Sequence, residues 1–219
     1  VSYETLEVYQ SVLFSEFEKY GKNIMTLMQI LSEIVKNIAN PTSFNSIASA
    51  SGIASANTVK EYMEMLQMAY LGLEIPCVDV SKKRAFAKKN KKFYLIDPVV
   101  FNVLSDKFHI YPLDKSKMAE NILAVHISRF FKHEWANLGI LNKVFYWKSK
   151  KGNEIDFLIF TDNNKPFGIE LKYQNVVSAW DEMSIKKGLE RGVLVTKNTF
   201  EYGQIPKVPL WAFLLLESY

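Results

Sequence analysis

The sequence predicts a mixed α/β (α+β) chain, with a helical N-terminal part followed by a mixed sheet of about five strands flanked by helices. Three observations carry this. Apolar residues recur at three- and four-residue steps between Leu6 and Ile38, the mark of amphipathic helices. From Glu154 to Tyr173, two segments alternate with period two around a polar turn, as a half-buried hairpin does. Gly192–Thr196 and Leu210–Leu215 are near-continuously apolar, the pattern of strands covered on both faces.

Composition bounds the rest. The chain has 219 residues, 48% hydrophobic and 23% charged, enough for one large or two small domains with real cores. Cys77 is the single cysteine, which excludes an internal disulfide and a cysteine-based metal centre. A reducing, cytoplasmic setting is expected. No apolar run reaches the length of a membrane span, and Val1-Ser2-Tyr3-Glu4 does not read as a signal peptide. The formal charge of +4 is a mild bias rather than an electrostatic commitment to nucleic acid.

Taken in order, residues 3–20 predict a helix with Leu6, Tyr9, Val12, Leu13, Phe17 and Tyr20 on its stripe, broken by Gly21. Ile24, Leu27, Met28, Leu31, Ile34, Val35 and Ile38 define a second helix that stops at Asn40-Pro41. Its methionines are core filler. Ser43–Ser51, a turn at Gly52 and a helix capped by Ser55 then form a helix-turn-helix pattern. With the β-like segments Leu73–Val80 and Lys92–Ile96, these helices suggest a winged helix over 21–98, preceded by an N-terminal helix or linker over 1–20. The would-be recognition helix shows Ala56, Asn57, Lys60, Glu61 and Glu64, a poor set for approaching phosphates. A structural or subunit-contact role suits it better.

The segment 81–92 is strongly basic. Lys82, Lys83, Arg84, Lys88 and Lys89 would track a DNA backbone if it is a wing, and would form a solvated loop otherwise. A short helix follows Asp97-Pro98, then a loop over 105–115, then a long helix capped by Ser116 and running to about Asn137. Glu120 lies in its first turn, where the helix dipole favours a carboxylate without any ligand. His126 and His133 are too widely spaced for a zinc pair, and His109 is isolated, so all three read as non-catalytic. Lys143–Lys148 predicts a strand that enters the main hairpin through Ser149-Lys150-Lys151-Gly152. Lys150 and Lys151 there border the hairpin and are placed to meet phosphates.

The hairpin itself carries the chemistry. Glu154–Phe160 and Phe167–Tyr173 flank Asp162-Asn163-Asn164-Lys165-Pro166. A loop centred on Asn163 sets Asp156 opposite Glu170, with Lys172 on the same face two residues on. Facing carboxylates repel and raise each other's pKa unless a cation lies between them. A hard divalent ion does this with one or two carboxylates. Lys172 would then meet an attacking water or phosphate charge, with Glu154 a reserve ligand at the rim. The plain alternative is a solvated strand face with a surface Glu–Lys pair. Beyond the hairpin, Ser178–Glu190 predicts a helix, whose Lys186 and Lys187 would face a substrate backbone.

The run from Asp156 to Glu170-Leu171-Lys172 resembles the PD-(D/E)XK nuclease superfamily, which has a restriction-endonuclease-like (Holliday-junction-resolvase-like) fold. The helical Glu120 and the order of the later elements are similar too. More closely, the chain resembles the C-terminal half of prokaryotic AAA-type ATPases, in which a winged helix precedes a nuclease-like domain. Their G-x-E-x-D-F and I-E-x-K strands match Gly152, Glu154, Asp156, Phe157 and Ile169, Glu170, Lys172. The resemblance spans nearly all residues but no ATPase motor. Gly21-Lys22-Asn23 lacks the earlier Gly and the Ser/Thr of a phosphate cradle. It implies a nuclease-like domain over 99–219 and Mg²⁺ or Mn²⁺ held by Asp156, Glu170, Glu120 and the Leu171 carbonyl. Lys172 would activate water for hydrolysis of DNA. DNA and an ATPase motor are the expected partners, with no membrane and with an oligomer allowed. A start without Met suits a piece excised from a longer protein, and a stand-alone relative is the other option. The rival expectation keeps the fold and drops the catalysis, leaving a binding or interaction module.

Overall fold

The computed structural model describes residues 2–108, 114–130, 144–161, 163–178, 180–189 and 191–216. The chain divides into two compact units, Val1–Glu74 with Phe93–Asp114, and Ile75–Lys92 with Lys115–Tyr219. The basic segment therefore belongs to the second unit.

In the first unit, local capping sets the helix ends. Helix α1 (Tyr3–Lys19) starts at Ser2, whose hydroxyl accepts the Thr5 N–H. It ends where Gly21 takes a φ of +66°, a conformation costly for residues with a Cβ. Helix α2 (Ile24–Lys36) is capped by Asn23, and α3 (Phe44–Ser51) by Ser43. Left-handed Gly52 closes α3, and Ser55 caps α4 (Ala56–Met68). The stripes read from sequence are buried at Leu6, Leu13 and Phe17 on α1, at Leu27, Leu31 and Ile34 on α2, and at Val59, Tyr62 and Leu66 on α4, but Val12 and Tyr20 of the expected α1 stripe are exposed. Each such side chain contributes about 1.5–3 kcal/mol on full burial. Tyr62 also binds the Asn23 backbone twice, accepting its N–H at 2.8 Å and donating to its carbonyl at 3.1 Å. Helix α5 (Val99–Phe108) packs on α1.

Strands β1 (Gly72–Pro76) and β4 (Lys91–Leu95) form a two-stranded sheet, and β2 (Val78–Asp79) with β3 (Arg84–Ala85) forms a second. The second unit is built on a five-stranded mixed sheet. Its strands are β5 (Val144–Lys148), β6 (Glu154–Phe160), β7 (Pro166–Lys172), β8 (Gly192–Thr196) and β9 (Lys207–Pro209), in spatial order β5-β6-β7-β8-β9. The first three are antiparallel; β8 joins β7, and β9 joins β8, in parallel. Helices α6 (Lys115–Phe130) and α7 (Met183–Gly188) and the single turn α8 (Leu210–Phe213) complete the unit. Where β8 begins, a Cβ on Gly192 would collide with the Gly168 carbonyl oxygen, so this parallel pairing requires glycine.

Several sequence expectations need correction. Helix α5 continues past Leu104 to Phe108, and α6 already begins at Lys115, so Ser116 lies inside it rather than capping it and Glu120 falls beyond its first turn. Leu210–Leu215 is not a strand. The last strand is Lys207–Pro209, and Leu210–Phe213 is helical. A short apolar run does not distinguish a buried strand from a helical turn. Here Trp211, Leu215 and Leu216 are exposed rather than covered on both faces. The expected helix Ser178–Glu190 shortens to Met183–Gly188, because Asp181 takes both the N–H and the hydroxyl of Ser178 in a local turn. His109, His133 and the end of the long helix beyond Phe130 lie outside the described residues.

Candidate functional site

The β6–β7 hairpin is pinned by the Thr161 N–H on the Lys165 carbonyl at 3.0 Å and by Asn164 at a φ of +56°. Its register pairs Phe157 with Ile169 and Leu158 with Gly168. One step further along, Asp156 and Glu170 meet. The Asp156 N–H donates to Glu170 Oε2 at 3.2 Å, and the Leu171 N–H donates to Asp156 Oδ2 at 3.0 Å. Leu171 thus contributes its amide to the cluster. Lys172 donates to Glu170 Oε1 at 2.8 Å.

At the centre stands a group that the sequence had placed in the basic run. Every residue from Ser81 to Asn90 is exposed, yet two positions later Lys92 is 1% exposed. Its ammonium lies 3.1 Å from Glu120 Oε1, 3.0 Å from Glu154 Oε1 and 3.0 Å from Asp156 Oδ1. The Tyr146 ring flanks it at 5.7 Å, and the Tyr146 hydroxyl donates to the Asn90 carbonyl at 2.6 Å, fixing the strand that delivers it. Lys148 Nζ holds the other oxygen of Glu154 at 2.9 Å. Three carboxylates from α6 and β6 therefore converge on one lysine from β4. Asp156, Glu170, Lys172 and Glu120 are brought into this one network, and Glu154 is in its centre rather than at its rim.

Electrostatics follows burial. Glu170, nearly closed to solvent, has its pKa pushed up to about 8 by burial first and by the Asp156 charge second; Lys172 and the Asp156 N–H oppose the rise. Burial pulls Lys172 down, and this is outweighed by the Glu170 charge, their hydrogen bond and the Asp156 charge, so its pKa is raised. Lys172 thus keeps its proton beside Glu170.

As folded, this set does not fit a divalent metal. Mg²⁺ requires oxygens at about 2.0–2.1 Å in octahedral array. Here the space that Glu120, Glu154 and Asp156 share is filled by the Lys92 ammonium. Among the described residues no group of three or more His, Cys, Asp or Glu side chains is placed to hold a metal ion.

The other expected contacts fall outside this network. Lys82, Lys83, Arg84, Lys88 and Lys89 are exposed around the β2–β3 hairpin, and Lys150 and Lys151 are exposed in the turn between β5 and β6. On α4, Lys60 pairs with Glu64 at 3.4 Å, and Glu61 takes Lys22 at 2.8 Å. His126 lines an apolar cavity of about 380 Å³ with Phe130, Ile159, Ile169 and Phe213. Burial first, and Arg129 second, lower its pKa. On β7, Phe167 and Ile169 line that cavity, so strand parity sets Glu170 on the opposite face. Lys92 was the residue that sequence reading missed. Its one local signal is a cation opening an otherwise apolar strand, Lys91-Lys92-Phe93-Tyr94-Leu95.

No helix among the described residues is long and apolar enough to cross a membrane. No curated protein and no solved structure matches the chain. Residues 5–111 match a family model described as "Domain of unknown function (DUF8612)". Residues 115–213 match one described as "Domain of unknown function (DUF4143)", a domain found C-terminal to the ATP-binding domain of AAA ATPases.

Proposed function

We propose that the second unit is a nuclease-like module of restriction-endonuclease type that binds DNA without cutting it. In this reading the chain is the C-terminal part of an ATPase-linked protein, and the helix-turn-helix of its first unit has a structural role. The observation that carries the proposal is Lys92 at 3.0–3.1 Å from Asp156 and Glu120, two of the carboxylates that the nuclease reading gives to its ion, and from the reserve ligand Glu154. The exposed cations Lys82, Lys83, Arg84, Lys88 and Lys89 supply the phosphate contacts, each adding to the salt dependence of binding. The α4 surface, with Glu61 and Glu64 engaging lysines, is poorly suited to base readout.

The test combines binding and cleavage. Anisotropy titrations of duplex DNA should show affinity that falls steeply with salt, with a shallower slope once Lys82, Lys83, Lys88 and Lys89 are changed to Ala. Plasmid, linear and branched DNA should stay intact with Mg²⁺ or Mn²⁺.

A second reading, a Mg²⁺- or Mn²⁺-dependent phosphodiesterase, is favoured by the convergence of Asp156, Glu170 and Lys172 on one strand face. It requires Lys92 to leave the carboxylates. Cleavage that disappears in Asp156→Ala and in Lys172→Ala would establish it and sink the first.

A further inference from the structure

We propose that the Lys92 ammonium is this protein's own resident cation, standing where the carboxylate set would otherwise take a divalent ion and making the site independent of metal. This rests on the non-cutting reading and deepens it by assigning the role to one side chain.

Three carboxylates gathered on one face repel and are stable together only around positive charge. The Lys92 ammonium donates to Glu120 Oε1 at 3.1 Å and to Asp156 Oδ1 at 3.0 Å, and lies 3.0 Å from Glu154 Oε1. Carboxylates from two separate elements around a cation closed to solvent make this a built cage rather than a chance surface pairing. The cage is held from outside as well. Leu171 N–H fixes the second oxygen of Asp156, and Lys148 fixes that of Glu154. Lys92 itself is 1% exposed, so it does not exchange with solvent ions as a surface lysine does. Two cations cannot share the space, and a hydrated Mg²⁺ gives up its water reluctantly. The residue is also the last of the second unit before the chain passes to Phe93 of the first.

The consequence is specific. The native protein is blind to divalent ions, and removing the ammonium leaves three facing carboxylates that must close in from their spacing around the ammonium before a hard divalent ion is held. Calorimetric titration with Mn²⁺ and thermal unfolding in EDTA or Mn²⁺ test this on wild type, Lys92→Ala and Lys92→Ala/Asp156→Asn. Wild type should give no binding isotherm and the same midpoint in both buffers. Lys92→Ala should melt lower in EDTA, bind Mn²⁺ and recover midpoint on binding it. The double variant should recover little. If Lys92→Ala is unfolded in EDTA, Mn²⁺-dependent return of its far-UV circular dichroism is the readout, and no return overturns the proposal. A Lys92→Ala protein that gains no Mn²⁺, beside a wild type that binds DNA uncut, overturns this inference alone. Wild-type uptake of Mn²⁺ with DNA cleavage overturns both it and the reading beneath it.

Discussion

Lys60 on α4 and Lys92 on β4 each meet glutamate, and nearly everything that sets the strength of the meeting differs. Lys60 and Glu64 stand 3.4 Å apart with both side chains more than half exposed, where water and salt screen the pair. Lys92 has three carboxylates at nearly the same range with almost no solvent access. Burial raises the stakes of a charge in both directions. A surface pair is worth little whether present or absent. A buried one is tolerated only when every partner is in place, and losing one partner leaves charge stranded in a low dielectric. The α4 pair can thus be altered freely, whereas the second unit has a charge cluster that behaves as one piece.

The largest expected effect breaks that piece. Lys92→Met should destabilise the protein by about 3–5 kcal/mol in metal-free buffer, read as a lower urea midpoint, because three carboxylates lose their common cation. Next, Gly192→Ala should cost roughly 1–3 kcal/mol by forcing β8 away from the Gly168 carbonyl, a packing control with no charge involved. An effect there as large as at Lys92 would mean that geometry, not charge, dominates the unit.

Smaller in size but sharper in meaning is the pH dependence of Glu170. Its folded-state pKa of about 8 lies above the ordinary value of 4.5, so the folded state binds the proton more tightly than the unfolded one. That contribution to stability is present in full below about pH 4.5 and is lost as pH rises to about 8. Lys172, raised above its ordinary value of 10.5, titrates outside this window. Denaturant midpoints measured across the window should slope downward in wild type and flatten in Glu170→Gln. An unchanged slope would show that Glu170 titrates normally. The smallest effect belongs to α4: Lys60→Ala should leave the midpoint within experimental scatter at ordinary salt. A clear drop there would erase the contrast between the two lysines.

How far the sequence could be read depended on range. Asn23, Ser43 and Ser55 cap helices through backbone groups two or three residues away, so their roles can be seen in a local window. The facing of Asp156 and Glu170 follows from a five-residue turn and the period of a strand. The Leu210–Leu215 run failed because its packing partners are not in its own window. Lys92 failed for the same reason at greater distance. It lies 64 positions from Asp156 and 28 from Glu120, and its immediate neighbours disguised it as part of a solvated charge run.

The sequence by itself determined the Ser55 cap, the mixed sheet and the pairing of two acidic strands, since each depends on spacing along a few consecutive residues. Only the tertiary structure decided which cation the carboxylates receive. That choice is made where α6, β4 and β6 come together, and electrostatic energy there is set by burial and by distances of about 3 Å between residues remote in the chain.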